Sequence, residues 1–314
     1  MRRLTLLLAA ALASTAAAAD PPPRPFPVPE AEVARYTAFR AAGPIEVDGR
    51  LDEESWRRAP RSPRFVDMVT GRPVVHATHA AVVWDAEALY VGFWVEEPMV
   101  EAKLTNKGAA IYRENDVEVF IAGCDAYSEF EMNALGTIYE VFFIWKEAYD
   151  RGGYAAEPTL SMSHPRTAHF DGLQFSPHPR GRRVACLGWE FPGIRTAVFV
   201  DGSLNKNDDR DRGWTAELAF PWRGMKWLAA GDGRALPPRD GDDWRIDFSR
   251  FNHYREAPHP DDDRWGDSGG WVWSKHGIRD SHGPEVFPHV EFSASEVPAG
   301  PAGDVPASGP AATR

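Results

Sequence analysis

The chain has 314 residues, with 46 acidic and 35 basic side chains and a formal net charge of −11 at pH 7. An acidic surface repels nucleic acid and anionic lipid, so nucleic-acid binding is disfavoured, and neutral or cationic ligands and metal ions are the expected partners. The chain is long enough to bury a hydrophobic core without a disulfide framework.

The N-terminal segment has the layout of a cleavable secretory signal. Arg2 and Arg3 precede an apolar run over residues 4–12, and small residues close the segment before Asp20. The run is too short to span a bilayer. We therefore predict a signal peptide over residues 1–19, export to the periplasm or the extracellular space, and no membrane span after cleavage.

Biased composition marks both ends of the folded part. Six prolines fall within residues 20–29, which predicts an extended spacer leading into the fold over residues 20–43. Residues 294–314 are mostly Ala, Pro, Gly and Ser and are predicted to be disordered. One domain is expected over residues 44–293, because no comparable linker interrupts it.

Between these ends the signals are mostly those of strands. Residues 81–84 and 89–95 are rich in β-branched and aromatic side chains and flank a turn, which predicts a β-hairpin. Short helices are predicted at residues 52–58 and 222–229. Further strands are predicted at residues 138–145, 183–189, 195–200, 214–220, 244–251 and 289–292. The pattern indicates an all-β protein, an antiparallel, jelly-roll-like β-sandwich with long loops.

Two adjoining segments predict a polar surface on this sandwich. In residues 116–121 acidic and apolar side chains alternate, which is the period of a strand with one face in the core. The segment that follows repeats the alternation. Paired as neighbouring strands, the two segments place Glu118, Glu131 and Asn133 on one face, beside Tyr112. Carboxylates and an amide next to an aromatic ring are the groups of a sugar-binding surface.

Four blocks of sequence match one family pattern in the right order. They are residues 44–56 (PIEVDGRLDEESW), residues 83–91 of the hairpin, residues 115–121 (NDVEVFI) and residues 213–222 (GWTAELAFPW). Together they resemble the family 9 carbohydrate-binding modules, and more closely the larger secreted proteins similar to them, over residues 44–293. The resemblance implies a non-catalytic antiparallel β-sandwich that grips an oligo- or polysaccharide between two aromatic rings and is commonly steadied by calcium. It also implies a link to polysaccharide catabolism.

The resemblance also assigns roles to individual residues. Tyr112 falls at the place of the first ring, and Glu118 matches a glutamate that hydrogen-bonds sugar hydroxyls. Glu131 stands where the family has a sugar-contacting arginine, so we hypothesise a preference for cationic sugars such as glucosamine. His282 stands at the place of the second ring, with Trp273 as a supporting ring. The predicted ligand-binding set is Tyr112, Arg113, Glu118, Glu131, Asn133, Trp273 and His282.

Calcium is the expected cofactor, and no organic cofactor is expected. The resemblance points to Asp48, Asp52 and Asp125, because the family's calcium often lies near the first and third blocks. A second candidate has oxygen side chains at alternate positions, as in part of a calcium loop, and consists of Asn205, Asn207, Asp209 and Asp211. It lacks the glycine and the glutamate of an EF-hand, so a polar turn is the alternative. Cys124 and Cys186 are permitted to pair in an oxidising compartment, but their spacing leaves pairing open.

Other interpretations stay open. Glu118 and Glu131 are alternatively solvated or ion-paired with Arg113 or Arg250, or they serve as the two carboxylates of a glycoside hydrolase or its accessory subunit. No G-x-S-x-G, H-E-x-x-H or P-loop motif is present. A haem-b cytochrome-like sandwich would use a histidine and one of Met68, Met99, Met132 and Met162. A structural or protein-binding sandwich is the remaining alternative.

Overall fold

The structure is a computed structural model that describes residues 28–174, 177–206, 208–253 and 268–299. The strands in these ranges are β1 (Arg35–Arg40), β2 (Val66–Asp67), β3 (Thr78–Trp84), β4 (Ala88–Glu96), β5 (Asp116–Ala122), β6 (Ala126–Asn133), β7 (Ile138–Trp145), β8 (Thr167–Phe170), β9 (Arg183–Cys186), β10 (Arg195–Asp201), β11 (Gly213–Pro221), β12 (Asp243–Phe251), β13 (Gly270–Val272) and β14 (His289–Glu296).

Helices are few and short. The α-helices are α1 (Glu54–Arg58), α2 (Lys146–Arg151) and α3 (Lys226–Ala229). Single 3₁₀ turns lie at Glu30–Glu32, Ile111–Arg113, Tyr154–Ala156, Pro158–Leu160, Trp222–Met225 and Pro284–Val286. Within the described ranges the longest helix, α2, has 6 residues, and none of the helices has the length and apolarity needed to cross a membrane.

The strands form one hydrogen-bonded sheet that is almost entirely antiparallel. Their order is β10-β11-β4-β3-β1-β14-β12-β5-β6-β7-β9-β8, and β13 extends from β12 to β2. Among the described strands the two parallel pairings are those of β1 with β14 and of β1 with β3. The hairpin predicted from residues 81–95 is confirmed as β3 and β4, with Trp84 opposite Leu89.

The sheet folds over into two layers that pack face to face. Phe130 in β6 and Phe220 in β11 are far apart along the strand order, yet their ring centroids lie 4.7 Å apart. Phe93 in β4 and Phe248 in β12 approach to 6.3 Å in the same way. These contacts require one half of the sheet to cover the other with a shared apolar core. The predicted all-β sandwich is therefore confirmed.

The folded region begins earlier and ends later than predicted. β1 falls within the predicted spacer over residues 20–43, yet it lies inside the sheet with Tyr36 and Ala38 buried. β1 joins the sheet because Tyr36 and Ala38, two residues apart, both face the core. The Tyr36 hydroxyl also donates to the Pro60 carbonyl at 2.7 Å. At the other end β14 continues to Glu296, and Val297 is buried, so the predicted disordered tail starts too early. The predicted signal peptide lies outside the described residues.

Candidate functional site

A cavity of about 340 Å³ opens on β5, β6 and β7, on the face turned away from the second layer. The pairing of these strands brings its polar residues together, because Glu118 lies directly opposite Glu131 and Glu131 lies opposite Tyr139. The loop after β13 closes one side with Asp280, Ser281 and His282. The shared face predicted for the two alternating segments is therefore present.

Carboxyl groups form the bottom of this cavity. We call Asp116, Glu118, Glu129 and Glu131 the acidic floor; the three glutamates line the cavity, and Asp116 lies beside them. Carboxylate oxygens of Asp116, Glu118 and Glu131 lie within 4.8 Å of one another. All four side chains are buried, so the alternative in which Glu118 and Glu131 are solvated is wrong. Among the described residues Arg250 forms its ion pair with Glu97, at 3.3 Å, although its charge also opposes the rise that burial causes in the pKa of Asp116.

The protein supplies few hydrogen-bond donors to the acidic floor. Glu118 accepts from the Ser249 hydroxyl at 2.6 Å. Glu131 accepts from the backbone N–H of Tyr112 at 2.8 Å. Asp116 accepts one backbone N–H at 3.0 Å, while its other oxygen, also buried, has no hydrogen-bond partner. Buried carboxyl oxygens without donors are costly unless they are protonated or bind a ligand.

Burial and mutual repulsion raise the pKa values of the acidic floor. Burial raises the pKa of Glu118 to about 8, with the charge of Asp247 adding to the rise. The pKa values of Asp116, Glu129 and Glu131 are raised well above their ordinary range by burial first and then by neighbouring carboxylates. The raised pKa values favour the protonated form of these groups, and a protonated carboxyl both donates and accepts hydrogen bonds.

Apolar side chains stand at the mouth of the cavity. Tyr112 is 45% exposed and Leu173 is 62% exposed, although both are large and apolar. The described residues include two other exposed side chains of this kind, Leu135 and Met162, so half of the set lines this one cavity. Tyr112 also packs edge-on against Tyr139, with ring centroids 5.9 Å apart. An exposed ring above buried polar groups is typical of a ligand site.

His282 lines the cavity as part of its wall, not as an open stacking platform. Its ring packs against Phe170 and Phe143, with centroids at 4.6 and 5.0 Å. Its Nδ1 lies 3.2 Å from the Tyr127 hydroxyl, and burial lowers its pKa to about 4, so the imidazole is neutral. The loop that carries it is held by His276, which bridges Asp247 at 3.1 Å and the Asp280 carbonyl at 2.9 Å.

Three residues of the predicted ligand-binding set lie outside the cavity lining. Trp273 packs in the core, where its ring centroid lies 4.9 Å from those of both Tyr36 and Phe248. Phe248 is on the core side of β12, so this contact turns Trp273 away from the cavity. Asn133 is buried and ties the β6–β7 turn, donating to the Leu104 carbonyl at 2.9 Å. Arg113 is exposed, with its guanidinium 5.8 Å from the Tyr112 ring.

Several lining residues were not predicted. Glu129 and Tyr139 follow the same alternation as Glu131, so the period of two in β6 and β7 is the sequence signal that could have identified them. Phe170 and Leu173 come from β8 and the segment after it, which carries no periodic pattern. They become neighbours of the floor only through the tertiary fold.

The first set of calcium candidates does not fit a calcium ion. Asp48 and Asp52 are exposed, and an oxygen of Asp48 accepts the backbone N–H of Arg50 at 2.9 Å. Asp125 lies 2.6 Å from the guanidinium of Arg151 and 3.7 Å from that of Arg180. Two guanidinium groups beside one carboxylate already supply the positive charge that calcium would bring.

In the second set of calcium candidates, the side-chain oxygens of the described residues accept hydrogen bonds from the protein itself. Both oxygens of Asp211 accept backbone N–H groups, from Val100 at 2.8 Å and Ser203 at 2.6 Å. Asn205 exchanges two hydrogen bonds with Ala102, and Asp209 accepts from the Ser203 hydroxyl. Asn207 lies outside the described residues. In the parts of the chain that the structure describes, Asp, Glu, His and Cys side chains converge at ligand spacing at Asp116, Glu118 and Glu131 alone.

The cysteines do not pair. Cys124 is exposed, whereas Cys186 is buried in β9, where its thiol contacts the Leu160 carbonyl at 3.7 Å. The disulfide that the sequence left open is therefore not formed. The methionines offered for haem are also scattered: Met68 and Met132 are buried in the interior, Met162 is exposed, and none of these three lines the cavity.

The fold and the cavity define a β-sandwich with a concave binding site, walled by aromatic rings and floored by carboxyl groups. Residues 47–161 match the family model described as carbohydrate family 9 binding domain-like. The resemblance read from the sequence is therefore confirmed for this part of the chain. No curated protein sequence gives a significant match.

Solved structures resemble the fold. A putative carbohydrate-binding protein from Bacteroides uniformis aligns with a TM-score of 0.50 and 15% identity, covering 83% of this chain and 100% of that one. A family 9 carbohydrate-binding module from Caldicellulosiruptor kristjanssonii, in complexes with cellotriose and with glucose, aligns with a TM-score of 0.41 and 12% identity, covering 85% of this chain and 100% of that one. The first of these supports the sandwich fold.

Proposed function

We propose that the protein is an exported carbohydrate-binding protein that holds its ligand in this cavity without cleaving it. The observation that carries the proposal is the convergence of Tyr112, Glu118 and Glu131 on one cavity. These residues were assigned to sugar contacts from the sequence alone. The family model over residues 47–161 supports the same class of ligand.

The cavity offers both kinds of contact that a sugar needs. The exposed ring of Tyr112 presents an electron-rich face on which the C–H face of a sugar ring can stack. The carboxyl groups below accept and donate hydrogen bonds to hydroxyl groups. Each such bond replaces one to water, so its net contribution is small, about 0.5–1.5 kcal/mol. We therefore expect modest affinity that depends strongly on the stacking ring.

The arrangement of the carboxyl groups favours binding over hydrolysis. A glycosidase places its two carboxylates on either side of the scissile bond. Glu118 and Glu131 instead stand next to each other on paired strands, and both line the cavity. We also propose, from the N-terminal sequence and the family resemblance, that the protein acts outside the cytoplasm in polysaccharide catabolism.

Calorimetric titration of the purified chain tests this proposal. Neutral gluco-, xylo- and manno-oligosaccharides, each in reducing and end-reduced forms, should give binding heat with at least one series. Tyr112→Ala should weaken that binding about tenfold or more, which corresponds to the loss of about 1.4 kcal/mol. Leu135→Ala is the matched control, because Leu135 is 40% exposed but lies outside the cavity lining.

Absence of heat with every oligosaccharide would contradict the proposal and favour a structural or protein-binding sandwich. Equal losses in Tyr112→Ala and Leu135→Ala would show that the sugar binds elsewhere.

A further inference from the structure

The cations near the acidic floor have ion-pair partners outside it: Arg250, whose charge opposes the rise that burial causes in the pKa of Asp116, lies 3.3 Å from Glu97, and His276, whose charge opposes the rise that burial causes in the pKa of Glu118, lies 3.1 Å from Asp247. No lysine or arginine of the described chain forms an ion pair with Glu118, Glu129 or Glu131. The His282 imidazole Nε2 lies 3.9 Å from Glu129, and burial keeps that ring neutral. Arg279 also lines the cavity, and its guanidinium donates to the Ser268 carbonyl at 2.8 Å. Two other buried acids of this protein do have counter-charges: Glu140 lies 2.9 Å from Lys107, and Glu97 lies 3.3 Å from Arg250.

We propose that the acidic floor binds the ammonium group of a cationic ligand, so that the cavity prefers sugars with a free amine over neutral sugars. This inference rests on the proposed function, since it names the ligand class of the same cavity. The same ligand class follows from the sequence hypothesis that Glu131, at the place of an arginine in the family, favours amino sugars.

The floor has the right number of acceptors for an ammonium group. A primary ammonium carries three N–H donors. Asp116, Glu118 and Glu131 surround one point, with oxygens within 4.8 Å of one another, and each spends one oxygen on a donor from the protein. The second oxygen of Asp116 is buried and has no partner. An ammonium group bound at this point displaces the protons that burial and mutual repulsion favour, and charge-assisted bonds of about 2.8 Å from one nitrogen to all three carboxylates fit within this spacing.

The rest of the cavity suits the uncharged part of such a ligand. Its volume of about 340 Å³ is sufficient for a short oligosaccharide. The apolar walls and the exposed ring of Tyr112 take the sugar ring, while the low-dielectric floor strengthens attraction to a positive group. The chain's net charge of −11 steers cations toward it.

A matched series of ligands tests the inference. Oligosaccharides of β-1,4-linked glucosamine, of N-acetylglucosamine and of glucose share one backbone and differ at C2, where the first carries the amine. Titration of the purified full-length chain at fixed ionic strength, in EDTA and in parallel with added calcium, should show tightest binding of the glucosamine series under both conditions, by about tenfold or more. Glu118→Gln should weaken binding of the glucosamine series by a larger factor than binding of the glucose series, and so reduce this preference to near unity.

Two further variants complete the design. Glu131→Gln should act like Glu118→Gln, and circular dichroism identifies either variant that fails to fold, leaving the other as the test. Glu54→Gln makes the same change in net charge at an exposed position of α1, remote from the cavity lining, so it should leave the preference unchanged.

Each other outcome overturns the inference in a distinguishable way. Equal binding of the three series, lost in Tyr112→Ala, leaves the proposed function intact and refutes the ammonium site. Equal reductions in Glu118→Gln and Glu54→Gln refute it as well, because the preference would then be general attraction to an acidic surface. Binding that requires calcium instead of an amine assigns the floor to a metal ion. No binding of any series refutes both the inference and the proposed function.

Discussion

Glu217 and Glu118 are both buried glutamates on central strands, yet the protein surrounds them differently. Glu217 in β11 accepts the backbone N–H groups of Asp48 and Gly49, each at 3.0 Å, and the Trp56 indole N–H at 2.8 Å. Glu118 in β5 accepts one hydrogen bond, from Ser249 at 2.6 Å. Both lie in blocks that match the family pattern, so the sequence alone does not tell them apart.

The difference separates a structural carboxylate from one available to a ligand. Burial raises the pKa of both groups, but three donors oppose the rise for Glu217. Glu217 thereby fixes the turn before α1 against the sheet. Glu118 keeps unused hydrogen-bonding capacity and faces a cavity. We infer that in this fold the number of donors around a buried acid indicates its role better than burial does.

The largest expected effect is a loss of stability on substitution of Glu217, the structural carboxylate of the pair. Glu217→Ala leaves two backbone N–H groups and one indole N–H buried without an acceptor, and should destabilise the protein by roughly 3 kcal/mol or more. Urea unfolding measures this loss. Glu217→Gln keeps one acceptor oxygen and should lose less. An unchanged urea midpoint in Glu217→Ala would remove the structural role assigned to this carboxylate.

Glu118→Gln should act in the opposite direction. Because the pKa of Glu118 is raised from 4.5 to about 8, its contribution to stability is complete below about pH 4.5 and is lost as the pH rises through 8. The glutamine variant carries no such loss, so its stability relative to wild type should increase between pH 5 and pH 8, by up to roughly 3 kcal/mol.

Unfolding at both pH values provides the measurement, and Glu54→Gln provides the exposed control. A stability difference between Glu118→Gln and wild type that stays constant from pH 5 to pH 8 would show that Glu118 is ionised throughout.

Tyr112→Ala should change stability by less than about 0.5 kcal/mol, because the side chain is 45% exposed. The same variant should lose most sugar binding, so thermal unfolding and titration are measured on one preparation. A large fall in melting temperature would mean that Tyr112 covers the sandwich edge and is not a ligand platform.

The smallest expected effect concerns the thiols. Burial raises the pKa of Cys186 to about 12, whereas Cys124 is exposed. A thiol reagent should therefore titrate one group in the native protein and two after unfolding, and reductant should leave the melting temperature unchanged. Zero reactive thiols after unfolding without reductant would show that the two cysteines pair.

Local periodicity was sufficient to predict much of the fold and the acidic part of the site. β5, β6 and the β3–β4 hairpin alternate cleanly, and alternation fixes which side chains share a face. β1 was missed because it is short and follows a proline-rich segment. The parallel pairings of β1 depend on strands distant in sequence, which no local pattern records.

The walls of the cavity were harder to predict than its floor. Trp273 was assigned to the ligand, but the register of β12 and the segment after β13 turns it into the core. Phe170 and Leu173 reach the cavity from outside the alternating strands. Whether a buried carboxyl has donors also depends on distant segments, as the contacts of Glu217 with Asp48 and Gly49 show.

The most direct test of the account is a crystal structure of the protein with the oligosaccharide that binds most tightly in titration. We predict a sugar ring stacked on Tyr112, with the polar groups of the sugar within hydrogen-bond distance of Glu118 and Glu131. A sugar bound on any other surface, with this cavity holding only solvent, would contradict it.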